Sequence, residues 1–544
     1  METKKIITLG LLFLLMIILF FKWDSTDNHL LGSAPIFQFD SSFFPDDFIW
    51  GTSTSAYQTE GAADKYGRKP SIWDTFTHEF PERISDGSNG DVAVDFYHHY
   101  QEDIRKMSRK LGVNAFRFSI SWSRIIPTGD ISEGVNEEGI EFYNKVINET
   151  IRNGMKPFVT IFHWDVPQSL EDEYDGFLSP FIVSDFKDFA ELCFKRFGDR
   201  VKHWITLNEP FIFSTHGYDS GDLAPGRCSA WVNDHACVEG NSATEPYIVG
   251  HHLLLAHAKA VESYRKLGQD GKIGITLDVT WPESYSNNEV DREAAQRNLD
   301  FSFGWFMEPL YYGEYPKVMK KLVNIPERPP RLPDFTKEES QLVKGSYDFI
   351  GLNYYTANYA SANVTVDPDP RHIRFATDSL VNLTKYKNGK PIGVQAAPDW
   401  LYEYPEGIQY ILNYTKNAYN DPIIYVTENG VGDNKNFSPN DALMDIWRIR
   451  YINNHLWNVL RAICDNKVNV KGYFTWSFID NFEWSSGYTI RMGLYAIRDK
   501  NSLGRRQKRS VAWFHRFLKN KASAGGPKCG LLESKSESFS TEEL

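Results

Sequence analysis

The sequence predicts an α/β fold, a single (β/α)8 (TIM) barrel with long βα loops. Three observations predict it. Eight short apolar runs of strand length recur between residues 36 and 520, the segments between them are long enough to hold crossover helices, and no low-complexity linker or charge block interrupts that stretch. We therefore read residues 36–520 as one barrel domain.

The eight runs span residues 48–53, 115–119, 157–162, 204–207, 273–277, 349–352, 424–427 and 472–476. They are near-continuously apolar rather than alternating, as strands covered by helices are. Parallel neighbours need crossovers, and one of these can be checked residue by residue. After Ser184, an expected N-cap, Phe186, Phe189, Ala190, Cys193, Phe194 and Phe197 follow helical spacing up to Gly198, an expected stop.

In such a barrel the reactive groups sit where the strands end. After the first run come Tyr57-Gln58-Thr59-Glu60, after the third His163-Trp164-Asp165 and after the fourth Asn208-Glu209-Pro210. After the sixth come Asn353-Tyr354-Tyr355, after the seventh Glu428-Asn429-Gly430, and after the eighth Asp480-Asn481-Phe482-Glu483-Trp484. These hydrogen-bonding and aromatic groups converge on one mouth. Amides, an imidazole and carboxylates suit a ligand rich in hydroxyls, and the indoles of Trp476 and Trp484 suit its C–H face, so the mouth reads as a sugar site. Two glutamates on different strands, Glu209 and Glu428, then supply the pair that cleaves a glycosidic bond: one carboxyl protonates the leaving oxygen while one carboxylate meets the charge developing at the anomeric carbon.

Composition excludes several other classes. A formal charge of −12 disfavours nucleic acid and anionic membrane as partners. No His-Glu-x-x-His or close Cys/His cluster offers a metal site, no Gly-rich phosphate loop follows a strand, and the two-carboxyl chemistry calls for no cofactor. The 15% aromatic content, with 15 tryptophans, fits a large core and a site that stacks flat ligands.

The chain ends concern traffic. Residues 1–25 carry Lys4-Lys5 and an apolar run to Phe21, the pattern of a signal peptide, with an uncleaved signal anchor as the alternative. Sequons at Asn148, Asn363, Asn382, Asn413 and Asn436 fit a glycoprotein of the secretory pathway, whether extracellular, vacuolar or in the endoplasmic reticulum lumen. Cys228 and Cys237 share one polar loop, which favours a local disulfide. Cys193 and Cys464 fall in helical patterns and read as inert core thiols, and Cys529 reads as free. Residues 521–544 are expected to form a disordered tail, whose acidic-leucine end is partly like a retention address.

Beyond these patterns, long stretches resemble family 1 glycoside hydrolases of the plant secretory β-glucosidase type. They are Phe48-Ile49-Trp50-Gly51 through Tyr57-Gln58, Ser71-Ile72-Trp73-Asp74-Thr75-Phe76, Asp86-Gly87-Ser88-Asn89-Gly90, Phe116 through Arg124, and the motifs Thr206-Leu207-Asn208-Glu209-Pro210 and Thr427-Glu428-Asn429-Gly430. The resemblance implies a retaining enzyme in which Glu209 is the acid/base and Glu428 the nucleophile. It also implies that Gln58, His163, Asn208, Glu483 and Trp484 bind the sugar, that Tyr355 orients Glu428, and that Asn353 and Trp476 line the pocket. Small-molecule β-glucosides are the expected partners, with no stable membrane association after signal cleavage and a homo-oligomer left open.

Two departures from the family pattern stand out. Met492 replaces an aromatic wall residue, for which a looser sugar wall is expected, and Tyr495-Ala496-Ile497 differs from the usual sequence beside it. Two rivals remain. A thioglucosidase of the myrosinase kind is disfavoured by Glu209, where the best-known members carry glutamine, and by Thr215 and His216, where atypical members place basic residues. A weakly active sugar-binding pseudoenzyme is disfavoured by the two glutamates.

Overall fold

A computed structural model describes residues 37, 39–232, 237–363, 372–434, 439–497, 503–519 and 529–530. The proposed signal segment, the sequon at Asn436 and all of the 521–544 tail except residues 529–530 lie outside the described residues.

Eight strands form the barrel: β1 (Ile49–Ser53), β2 (Ala115–Ser119), β3 (Lys156–Phe162), β4 (His203–Asn208), β5 (Lys272–Ser284), β6 (Phe349–Ala362), β7 (Ile424–Asn429) and β8 (Val470–Thr475). Each pairs in parallel with its neighbour in sequence, and β8 pairs with β1 to close the ring. The main helices alternate with them: α1 (Phe96–Lys106), α2 (Glu137–Arg152), α3 (Ile182–Phe197), α4 (Glu245–Lys266), α5 (Glu289–Phe301), α6 (Glu406–Ala418), α7 (Ile446–Cys464) and α8 (Arg509–Lys519).

All eight expected runs are strands, with two notable differences in extent. β5 and β6 continue several residues beyond the apolar runs and pair with each other as far as Ser284 opposite Ala360. The extension was not legible because Asp278, Thr280 and Pro282 break the apolar pattern, and it is the mutual pairing of the two strands that carries them on. In α3 the cap is Phe181, not Ser184, because the helix starts earlier to bury Ile182. Its predicted apolar face is buried in full, and Gly198 is the C-cap.

The core has two layers. Ile49, Ala115, Phe158, Ile205, Phe349, Tyr425 and Phe474, one from each of seven strands, pack among themselves as the barrel floor. Gly51 is obligatory there, since a Cβ would sit 2.1 Å from the Phe474 ring. The larger cluster lies between strands and helices, where Phe194 of α3 meets Trp204 of β4 edge-on at 5.1 Å. Burial of this kind contributes on the order of 25 cal/mol per Å² of apolar surface.

The cysteine reading needs a correction. Cys228 and Cys237 are bonded, and Cys193 is a buried free thiol, but Cys464 and Cys529 are also bonded. They lie 65 residues apart in sequence with Cα atoms 5.3 Å apart, a proximity that only the return of the chain to the end of α7 creates. Among the described residues no helix is long and apolar enough to cross a membrane.

Candidate active site

A cavity of about 460 Å³ opens at the C-terminal ends of the strands and is lined by both Glu209 and Glu428. Strand periodicity alone would turn alternate side chains away from it. The ladders slip instead, between Ile205 and Asn208 where β4 meets β5 and between Val426 and Glu428 where β7 meets β6. Such bulges re-aim side chains next to sites.

Glu209 caps the helix Pro210–Tyr218, with the proline in the first turn. Its φ of 47° is left-handed, as are those of Trp164 (73°) and Trp484 (52°), both also in the cavity wall. Backbone strain of this sort costs on the order of 1–3 kcal/mol per residue and persists where the surroundings hold it. Here the Glu209 amide donates to the Thr276 carbonyl at 2.9 Å.

The two carboxyls have opposite surroundings. Glu428 Oε1 accepts from Arg117 Nη1 at 2.5 Å, and Oε2 accepts from the Tyr355 hydroxyl at 2.8 Å. Arg117 is 1% exposed, so the pair is shielded from water. Among the described residues, Glu209 Oε1 accepts only from the neutral amide of Asn353, at 2.6 Å. Burial holds the Glu209 carboxyl well above the usual carboxylate range, and the charges of Glu428 and then Asp278 push it the same way. One acid is kept protonated beside another served by a cation and a phenol.

Asn208 joins these parts. Its Oδ1 accepts from Arg117 Nη2 at 2.6 Å and from Asn353 at 3.2 Å, and its amide lies 3.2 Å from His163 Nε2. Burial and the nearby Arg117 charge hold His163 well below the ordinary imidazole range, so the ring is neutral. It is nearly parallel to the indoles of Trp476 and Trp484, at centroid distances of 6.0 and 5.9 Å. The Trp476 side chain hydrogen-bonds Glu483, whose carboxyl is pushed up to about 8 by burial and then by the Glu428 charge.

Of the ten expected catalytic and binding residues, eight line the cavity: His163, Glu209, Asn353, Tyr355, Glu428, Trp476, Glu483 and Trp484. Asn208 is buried and does not line it. Gln58 is fully buried, accepts from Ser55, and donates to Asn481 Oδ1 and the Phe482 carbonyl, so it buttresses the loop that carries Glu483. Met492 is in the wall.

Sequence reasoning missed three groups. Arg117 had a signal, a cation inside an apolar strand, where an unpaired charge is intolerable. Asp278 directly follows the fifth run, so the strand-end rule applied there too would have found it. Trp400, half exposed at the mouth and edge-on to Tyr355, had no sequence signal because a loop between β6 and β7 carries it in.

Comparison with known proteins agrees with this architecture. The model of glycosyl hydrolase family 1 matches residues 40–523. Beta-glucosidase 12 of Oryza sativa subsp. indica is 53% identical over 481 residues, covering 87% of this chain and 92% of its own. Raucaffricine-O-beta-D-glucosidase of Rauvolfia serpentina is 51% identical over 526 residues, 92% of this chain and 96% of its own. A rice β-glucosidase mutant in a covalent complex with Glc superposes with a TM-score of 0.86 at 47% identity, over 89% of this chain and all of that one.

Proposed function

The chain belongs to glycosyl hydrolase family 1, and from that premise we infer that it is a β-glucosidase that removes terminal β-D-glucosyl residues from small aglycones with retention at the anomeric carbon. The observation that carries the mechanism is the contrast between the two carboxyls of one cavity. Glu428, held by Arg117 and Tyr355, attacks the anomeric carbon as the bond to the aglycone oxygen breaks. Glu209, kept protonated, gives its proton to that oxygen.

The glucosyl ester that forms consumes the Glu428 charge. With it goes one cause of the raised Glu209 affinity for a proton, and Glu209, now a carboxylate, takes a proton from water while the oxygen attacks the same carbon. Glucose leaves and both carboxyls are restored. His163, Glu483, Asn208 and the Trp476 and Trp484 indoles are assigned to the sugar, with Asn353 holding Glu209. Gln58, held by Ser55, Asn481 and the Phe482 carbonyl, is assigned to the sugar as well.

Replacing Glu209 with glutamine tests this. With an activated aryl glucoside that needs no proton, the first step survives and the second stalls, and azide restores turnover as β-glucosyl azide; formation of the α-azide, or no rescue at all, would refute the assignment. The thioglucosidase alternative would need a cation for its sulfate at Thr215 or His216. His216 Nδ1 is already engaged 3.1 Å from both oxygens of Asp222. Two disulfides and the plant relatives are consistent with a secreted protein, and we place it in the secretory pathway.

A further inference from the structure

The cavity holds a titratable group that this chemistry leaves unused. Asp278 stands on β5 opposite Asn353 of β6, the residue whose amide holds Glu209. Two residues before Asp278 on the same strand, the Thr276 carbonyl accepts from the Glu209 amide at 2.9 Å, and Asp278 and Glu209 line one cavity. Asp278 lines the cavity, and its Oδ1 is buried and accepts no hydrogen bond among the described residues. An unmatched buried acceptor is costly, and the part-exposed edge of this carboxyl on the cavity wall is where a ligand donor can meet it.

The charged groups around it narrow what that is. His216 is a cation whose charge reaches it, but His216 already faces Asp222, so it answers Asp278 only in part. Lys385, another cation of the wall, donates to Thr356 Oγ1 at 3.3 Å and to the Ala357 carbonyl at 3.0 Å. Glu209 and Glu428 are committed to the reaction. Ile212, Val279 and Trp400 supply apolar surface around these groups. The aglycone side thus presents apolar walls and one carboxyl, pushed up to about 7 by burial, whose charged form a cationic ligand would stabilise.

We propose that Asp278 is a specificity-determining residue that selects aglycones bearing a protonated amine close to the glycosidic oxygen, with a hydroxyl as the weaker substitute. This rests on the β-glucosidase reading and names its substrate class. A charge-assisted hydrogen bond to a buried carboxylate is among the stronger polar contacts, and its loss changes rates on the order of 10- to 100-fold.

The test compares kcat/KM for 2-ethylphenyl, 2-(hydroxymethyl)phenyl and 2-(aminomethyl)phenyl β-D-glucosides in the wild type, D278N and D278L. Intrinsic leaving-group differences are common to all proteins, so they cancel when the aminomethyl-to-ethyl ratios are compared between proteins. That ratio is expected to be on the order of 10- to 100-fold larger in the wild type than in D278N. The hydroxymethyl preference survives in D278N, whose amide oxygen still accepts, and disappears in D278L. Equal ratios in wild type and D278N would overturn the proposal, as would faster turnover of the 2-carboxyphenyl glucoside, which would pass the aglycone to Lys385. If the wild type turned over none of these glucosides, the glucosidase reading itself would fall. Should D278L fold poorly, the near-isosteric D278N alone decides.

Discussion

Replacing Glu483 with glutamine should change how stability depends on pH, and the sign is fixed by the burial of this side chain. The Glu483 carboxyl in the folded protein is pushed up to about 8, from an ordinary value of 4.5, by burial and by the Glu428 charge. Between those values the folded protein holds a proton that the unfolded chain has released. The slope of unfolding free energy with pH is proportional to protons bound unfolded minus folded, so this group makes stability fall as pH rises through that window. At about 1.36 kcal/mol per pH unit, the upper bound on the loss is roughly 5 kcal/mol. Part of the side chain faces the cavity, where water screens it, and about 2–3 kcal/mol is the reasonable expectation. Glutamine does not titrate and removes this fall. The other raised carboxyls are common to both proteins and cancel in the difference. Urea unfolding at several values between pH 4.5 and 8.5 should therefore show E483Q gaining on the wild type steadily with pH. Parallel stability curves for the two proteins would refute the reasoning.

Two further outcomes follow from the same geometry. E428Q should abolish turnover and lower the Glu209 pKa, because it removes the largest cause after burial; carbon-13 NMR of the glutamate side-chain carboxyls, assigned with E209Q, would show no change if the two groups were uncoupled. Opening the Cys464–Cys529 bridge with C529S frees a 65-residue loop, which a chain-entropy argument values at about 4 kcal/mol. Denaturant midpoints measured without reductant should drop accordingly, and an unchanged midpoint would mean that the bridge does not constrain the unfolded chain.

The barrel was legible because its signals are local. Eight apolar runs with helical periods between them say which segments are strands, and position in sequence then determines which neighbours pair. The site was legible in part for the same reason, since Asn208-Glu209 and Glu428-Asn429 each stand at the end of a run. Where the chain ends a strand and how it returns were less visible. The extension of β5 and β6 depends on their pairing with each other, and Cys529 finds Cys464 only because the chain after α8 comes back to α7.

What the sequence by itself determined was the strand order and the identity of the two carboxyls, both set by patterns within a few residues of each other. What only the tertiary structure supplied was the physical reason that Glu209, which the resemblance already implies as the acid, is the carboxyl pushed toward its protonated form. Burial, then the charges of Glu428 and Asp278, raise Glu209, whose carboxyl accepts from a neutral amide, while Arg117 on β2 and Tyr355 on β6 meet Glu428. These partners lie 311, 73 and 144 positions away in sequence for the three hydrogen bonds. A charge state is a sum over neighbours in space, and the neighbours here are brought together by closing the barrel.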